Sequence, residues 1–355
     1  MSEDWLVILG AGFSKAFNNN MPAMADLNEE IRSDFEDDEI WESKPFLDNI
    51  DNFELLLSYL GTDQPWKSIS EDHEDKALFK KIQTKLAENI AKKEQKAFSN
   101  EIPEWSKNFA QILHDKKIPV ITFNYDTVLE RLMTQINIDE VNFEFPVVRL
   151  YNLPIKNISE RSVIMDNTRG AENIETFNLI KLHGSISWFY SGKDDFSGEQ
   201  VYYCNLDKGV EKKYSHPKHP VFREKIVQVT KDKQRLIVPP LMEKSQFYSN
   251  EFIRSLWTDA REELSNADRI LSIGYSLTPT DLTTRMLLSS SSKHVKEVFI
   301  VNLIDNESDE DNEKKEEELK KHYNKTFPSE TEIKDKFICE ENPVSKAVQY
   351  LKENT

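Results

Sequence analysis

An α/β fold built on a largely parallel sheet is the class that this sequence predicts. Three observations carry it. Short apolar runs of strand length recur along the chain, most of them run into a turn rich in glycine or asparagine, and helix-compatible sequence follows several of those turns. The first run, residues 5–9, is apolar at every position, which suits a strand covered on both faces.

Taken in order, residues 5–9 end in Gly10-Ala11-Gly12-Phe13-Ser14 and read as a buried strand, a tight turn and a helix N-terminus. From about 26 to 116 the pattern is helical. Leu55, Leu56, Tyr59 and Leu60 recur at helical spacing, and Leu78, Ile82, Leu86 and Ile90 share one face. Trp105, Phe109, Ile112 and Leu113 close that region, which reads as a helical insertion after the first β-α unit. A second strand, 118–123, runs into Asn124-Tyr125-Asp126. The helix that follows has capping-box spacing at Thr127 and Glu130.

Residues 141–250 are mixed and strand-rich. The run 177–182 leads into His183-Gly184-Ser185, then come 188–190 and 201–203, and Pro239-Pro240 stops a strand at 236–238. A helix is expected over about 250–266, a strand at 269–273 followed by Gly274-Tyr275-Ser276, a helix opening near 278–281 and a strand at 298–302. The stretch 305–321 carries nine acids, four lysines and one apolar residue, Leu319, and reads as a solvated helix or a disordered loop. A short helix is expected around 344–351. The expected division is a catalytic unit over 1–304 and an acidic stretch with a helical tail over 305–355.

Composition narrows the function. The formal net charge is −17, which argues against a general binder of nucleic-acid backbones. No apolar run approaches the roughly 18–20 residues that span a bilayer. The opening Met1-Ser2-Glu3-Asp4 has no basic n-region, so a cytoplasmic protein without membrane contact is expected. Cys204 and Cys339 form no CxxC pair, which excludes a disulfide framework and a four-cysteine zinc site. Nine glycines are few for 355 residues, against a usual share of ~7%. Gly10, Gly12, Gly184 and Gly274 fall in the polar turns.

Those turns carry the candidate chemistry. A glycine-rich turn between a strand and a helix can present backbone N–H groups to a pyrophosphate. Lys15 stands where a dehydrogenase fingerprint wants its third glycine, which disfavours hydride transfer; a ligand-free tight turn is the alternative. Asn124 and Asp126 can order a water or a ribose hydroxyl, or can merely cap a helix. His183 suits a general base, or a structural role. His216 and His219 with Cys204 lack a fourth metal ligand at suitable spacing. Gly274, Ser276 and Asn302, at two further strand ends, suit the far half of a dinucleotide.

In sequence order, the segments 10–14, 122–126, 182–185, 274–276 and 301–302 resemble the sirtuin motif series, over roughly residues 5–303. Residues 237–240 with Lys244, and residues 273–281, are similar to the bacterial sirtuin-like branch of anti-phage defence systems. The resemblance implies a Rossmann-like, mostly parallel sheet with a helical insertion. It also implies NAD as substrate. Gly10, Ala11, Gly12, Phe13 and Ser14 would hold the pyrophosphate and a ribose, and Asn124 and Asp126 would line the nicotinamide pocket. His183 would be the catalytic histidine, and Gly274, Ser276 and Asn302 would meet the adenosine side.

Protein-deacylating sirtuins follow the His-Gly segment with a zinc module built on two cysteine pairs. Only Cys204 lies there, so no zinc is expected and deacylation is disfavoured. The expected activity is hydrolysis of NAD to nicotinamide and ADP-ribose, as an NAD-depleting effector of defence. The alternatives are a non-catalytic NAD or ADP-ribose binding subunit and a zinc-free deacylase. Control by homo-oligomer assembly, or by a separately encoded defence or phage protein, is expected.

Overall fold

The structure is a computed structural model, and it describes residues 4–35, 37–50, 52–136, 147–157, 174–191, 200–204, 232–239, 248, 250–279, 281–302, 309–338 and 342–355. Lys244, Pro240, Thr280, His216, His219, Cys339 and residues 305–308 lie outside them.

Strand β1 (Trp5–Leu9) is buried at all five positions. It enters helix α1 (Ala11–Phe17) and then a helical layer: α2 (Met24–Phe35), α3 (Glu39–Glu42), α4 (Phe53–Gly61), α5 (Ile69–Phe98) and α6 (Glu104–Lys116). The 30-residue α5 opens on a capping box formed by Ser68 and Glu71. Its row Leu78, Ile82, Leu86 and Ile90 is buried against Ile31, Leu56 and Leu60. The helical insertion expected from the sequence is therefore present, with its own apolar core. Leu55 belongs to the periodic pattern but stands 47% exposed on the outer face.

The chain returns to the sheet as β2 (Val120–Thr122), α7 (Val128–Met133), β3 (Ile155–Asn157) and β4 (Leu179–Lys181). Next come β5 (Gly184–Tyr190), β6 (Val201–Tyr203), β7 (Gln234–Ile237), α8 (Glu251–Asn266) and β8 (Arg269–Ile273). α9 (Leu282–Ser291), β9 (Glu297–Asn302), α10 (Asp309–Thr326), β10 (Glu332–Ile338) and α11 (Pro343–Glu353) complete it. Six strands form one sheet in the order β10-β9-β8-β1-β2-β4, and every pairing in it is parallel. Read from β4, chain order runs 3-2-1-4-5-6, the doubly wound Rossmann arrangement. The order reverses between β1 and β8. A smaller mixed sheet, β3-β6-β5-β7, lies beside it.

Two differences from the sequence reading have physical causes. β10 was not foreseen. It is an edge strand whose charged residues point to partners outside the core: Asp335 pairs with Lys320, and Lys334 with Glu332 and Glu297. The acidic segment takes the helical of the two forms expected, from 309 onward, but its inner face is packed rather than solvated. Leu319 and Tyr323 are buried, and the Tyr323 hydroxyl reaches Ser272 Oγ at 2.6 Å.

The capping box expected at Thr127 and Glu130 does not form. The Thr127 N–H and hydroxyl both donate to Glu94, at 2.7 and 2.5 Å. Glu130 instead pairs with Lys181 at 3.0 Å and accepts from the Tyr151 hydroxyl at 2.9 Å. Tertiary partners outcompete the local cap.

Candidate functional site

Parallel strands deliver their carboxyl ends to one edge, and the structure places all five singled-out segments there. Gly10 follows β1, Asn124 follows β2, His183 follows β4, Gly274 follows β8 and Asn302 ends β9. In open α/β sheets ligands lie at this edge, at the point where strand order reverses. Here that point is where the turns after β1 and β8 meet.

The two turns interlock. The Gly12 N–H donates to the Gly274 carbonyl at 3.0 Å, the Gly10 N–H to the Ile273 carbonyl at 3.0 Å, and the Gly274 N–H to the Val301 carbonyl at 2.8 Å. Gly274 has φ +65°, and a Cβ on it would meet Phe13 N at 2.3 Å and Gly12 C at 2.4 Å. Only glycine fits this crossing. The Phe13 N–H turns inward as well, to the Gly10 carbonyl at 3.0 Å. Three amides of the turn thus bond to the protein itself. Ala11, at the start of α1, is the exposed member of the segment. The Phe13 ring does not face the edge: it packs on Phe109 and Trp105, with ring centres 5.5 and 5.9 Å away.

Asn124 is not a helix cap. Its Nδ2 donates to the Gly10 carbonyl at 2.9 Å and to Ser14 Oγ at 3.1 Å, and its own N–H donates to Thr122 Oγ1 at 3.1 Å. Ser14 Oγ in turn donates to Asp126 Oδ2 at 2.7 Å. Asp126 does brace its turn, since Oδ1 accepts from the Val128 N–H at 3.2 Å. Gly10, Ser14, Asn124 and Asp126 are therefore one hydrogen-bonded cluster. The amide nitrogen of Asn124 is committed to the protein, so its carbonyl oxygen is the group left to meet a ligand.

His183 follows β4, the strand paired with the one that leads to Asn124. Its ring meets Phe123 edge-on at 5.4 Å and lies 6.2 Å from the Tyr125 ring at 28°. Phe123 also stacks on Tyr275 at 4.3 Å. His183 is 7% exposed and Asn124 is 9% exposed, so both are buried. Gly184, at φ +77°, lets the chain leave β4 at a sharp angle; a Cβ there would strike the Leu236 carbonyl oxygen at 2.1 Å. Ser276 is exposed beyond Tyr275, and Asn302 is half-buried beside Ile338 of β10.

Residues the sequence reading passed over support this edge. Lys181 is 1% exposed, and its Nζ donates to the Asp126 carbonyl at 2.6 Å while pairing with Glu130. The signal was a lysine inside an otherwise apolar strand. Tyr275 donates to Asp281 Oδ2 at 2.8 Å; burial first, and the Asp281 charge second, push its hydroxyl well above the ordinary tyrosine range. Glu94 is buried as well, and desolvation together with the Asp126 charge raises it to about 7. Among the described residues no cluster of three or more His, Cys, Asp or Glu side chains could hold a metal ion.

No family model and no curated protein matches the chain. It is similar to several solved structures. One is a Sir2 homologue–NAD complex, at 13% identity and a TM-score of 0.42, with 99% of this chain and 90% of that chain covered. A second is Sir2Tm bound to a propionylated peptide, at 14% identity and 0.40, covering 99% and 93%. A third is an ADP-ribose complex of a Sir2 homologue variant, at 14% identity and 0.40, covering 99% and 92%. At such levels no residue's role passes from those proteins to this chain.

Proposed function

We propose that this chain is an NAD glycohydrolase that cleaves NAD to nicotinamide and ADP-ribose. The observation that carries the reading is the hydrogen-bonded cluster of Gly10, Ser14, Asn124 and Asp126, placed at the sheet's switch point with His183 one strand away. The dinucleotide's pyrophosphate would lie across the two glycine turns, against the N-terminus of α1 near Ala11. Nicotinamide and its ribose would lie toward Asn124, and the adenosine side toward Gly274, Ser276 and Asn302.

The reaction breaks the bond between the nicotinamide nitrogen and the ribose anomeric carbon. The electron pair leaves with nicotinamide, which becomes neutral, and the sugar acquires oxocarbenium character. Water then bonds to that carbon and releases a proton. In this reading the Asn124 carbonyl oxygen orients the water or the ribose hydroxyl, and His183 accepts the proton. Help of that kind contributes typically ~10²–10⁴-fold. The partly exposed Tyr275 ring, stacked on Phe123, is the apolar surface that this reading gives to the neutral leaving group.

The reading includes a place in anti-phage defence, where NAD loss is held back by assembly or by a separately encoded partner. It rests on the motif resemblance and on the need to restrain such an activity. A fully active monomer in light scattering would contradict that control.

Product chromatography with and without an acylated peptide tests the activity. Nicotinamide and ADP-ribose in both samples are expected. An O-acyl-ADP-ribose product formed only with peptide would place the chain among deacylases. Binding of NAD in calorimetry without turnover would leave a binding subunit.

A further inference from the structure

The helical insertion reaches the turn that carries Asn124. Its core includes Tyr125, the residue between Asn124 and Asp126, and the Tyr125 hydroxyl donates to the Val238 carbonyl at 2.7 Å. The second contact is polar. Leu78, Ile82, Leu86 and Ile90 form the buried row of α5, and the next residue in that row, four further on, is Glu94. An acid in the apolar row of a helix is unfavourable unless partners hold it.

Its partners lie on the site turn and on α7. Glu94 accepts from the Thr127 N–H and hydroxyl, and from Arg131 at 3.2 Å. Thr127 follows Asp126 directly, Asp126 takes the Ser14 hydroxyl, and Ser14 Oγ accepts from Asn124. A continuous path of backbone and hydrogen bonds thus joins the insertion to Asn124. No helix cap requires it, because an ordinary N-cap at Thr127 would use the threonine side chain alone.

We propose that Glu94 is a positioning residue for NAD cleavage, through which the helical insertion holds the Asn124 turn in its working geometry; the inference rests on the role given to Asn124 above. The acid touches no substrate. It fixes Thr127, and through Asp126 and Ser14 it fixes the direction in which the Asn124 carbonyl points.

The test compares wild type, Glu94→Ala and Glu94→Gln in the full chain. Steady-state NAD cleavage is read alongside hydrogen exchange of the peptide spanning 122–129. In Glu94→Ala, kcat should fall at least tenfold while KM for NAD stays within threefold, and exchange of 122–129 should quicken. Glutamine can accept the Thr127 N–H through its oxygen and donate to Thr127 Oγ1 through its nitrogen. Glu94→Gln should therefore recover most of the lost kcat. Wild-type kcat in Glu94→Ala would overturn the proposal, as would equal losses in both variants with KM rising in step. If wild type does not cleave NAD, the activity reading fails separately. The exchange measurement then decides: unchanged exchange in 122–129 overturns the coupling, and faster exchange confined there supports it.

Discussion

At the scale of single residues, the account rests on Asn124 and His183. Both side chains are already engaged by the fold. The Asn124 amide nitrogen is bound to Gly10 and Ser14, whereas the His183 ring lies among aromatic faces. Asn124→Ala should lower turnover at least tenfold with NAD affinity in calorimetry nearly unchanged, because the role proposed for the residue is to orient rather than anchor. Asn124→Asp is a sharper probe, since it replaces the donor to the Gly10 carbonyl with an acceptor. Gly274→Ala should act on folding instead. A methyl there meets the Gly12–Phe13 backbone at φ +65°, so a loss of at least ~2 kcal/mol is expected in urea unfolding. The glycines were legible in the sequence because so few exist. Their reason was less so: they permit two turns to cross.

At the scale of elements, the apolar strands and their polar ends could be read directly, because a parallel strand buried on both faces leaves an unbroken apolar run. What escaped the reading were side chains whose meaning lies in a distant partner. Glu94 looks like an ordinary charge in a linear sequence, Lys181 shows only as a lysine in an apolar strand, and Thr127 with Glu130 looks like a capping box. The buried pair Lys181–Glu130 ties β4, which leads to His183, to α7, which follows Asn124. Lys181→Ala should cost about 3–5 kcal/mol in denaturant unfolding, since Glu130 would be left buried without its cation. Glu94 gives a pH signature. Its carboxyl, faced by Asp126, Arg131 and Tyr203, is raised from 4.5 to about 7. The folded protein then keeps a proton that the unfolded chain releases between those values. Stability should fall as pH rises from about 4.5 to about 7 and level off above. The shift corresponds to about 3 kcal/mol. Glu94→Gln should remove that slope from unfolding measured across the range.

At the scale of the whole molecule, strand order 3-2-1-4-5-6 brings five segments, separated by up to about 290 residues, to one sheet edge. The α/β class, the insertion and this convergence were all readable from sequence. The C-terminal helix was readable too, but β10 and the packing of α10 were not, because β10 is a charged edge strand and α10 shows only a narrow apolar row. α11 is part of the sheet's support: its Tyr350 packs on Trp5 and Phe299, and the Trp5 indole donates to the Asn354 carbonyl at 3.2 Å. A chain cut after residue 302 should expose the β9 edge and that aromatic cluster. Loss of cooperative thermal unfolding, followed by circular dichroism, is the expected outcome. The described helices include none long and apolar enough to cross a membrane.

The central claim is that Asn124 and His183 act together on the bond between nicotinamide and ribose. The most direct measurement is chromatographic release of nicotinamide from NAD by wild type, Asn124→Ala and His183→Ala at matched, folded concentrations. The account predicts nicotinamide with equimolar ADP-ribose from wild type and at least tenfold less from each variant. Equal release from all three, or intact NAD together with no NAD binding to wild type, would contradict it.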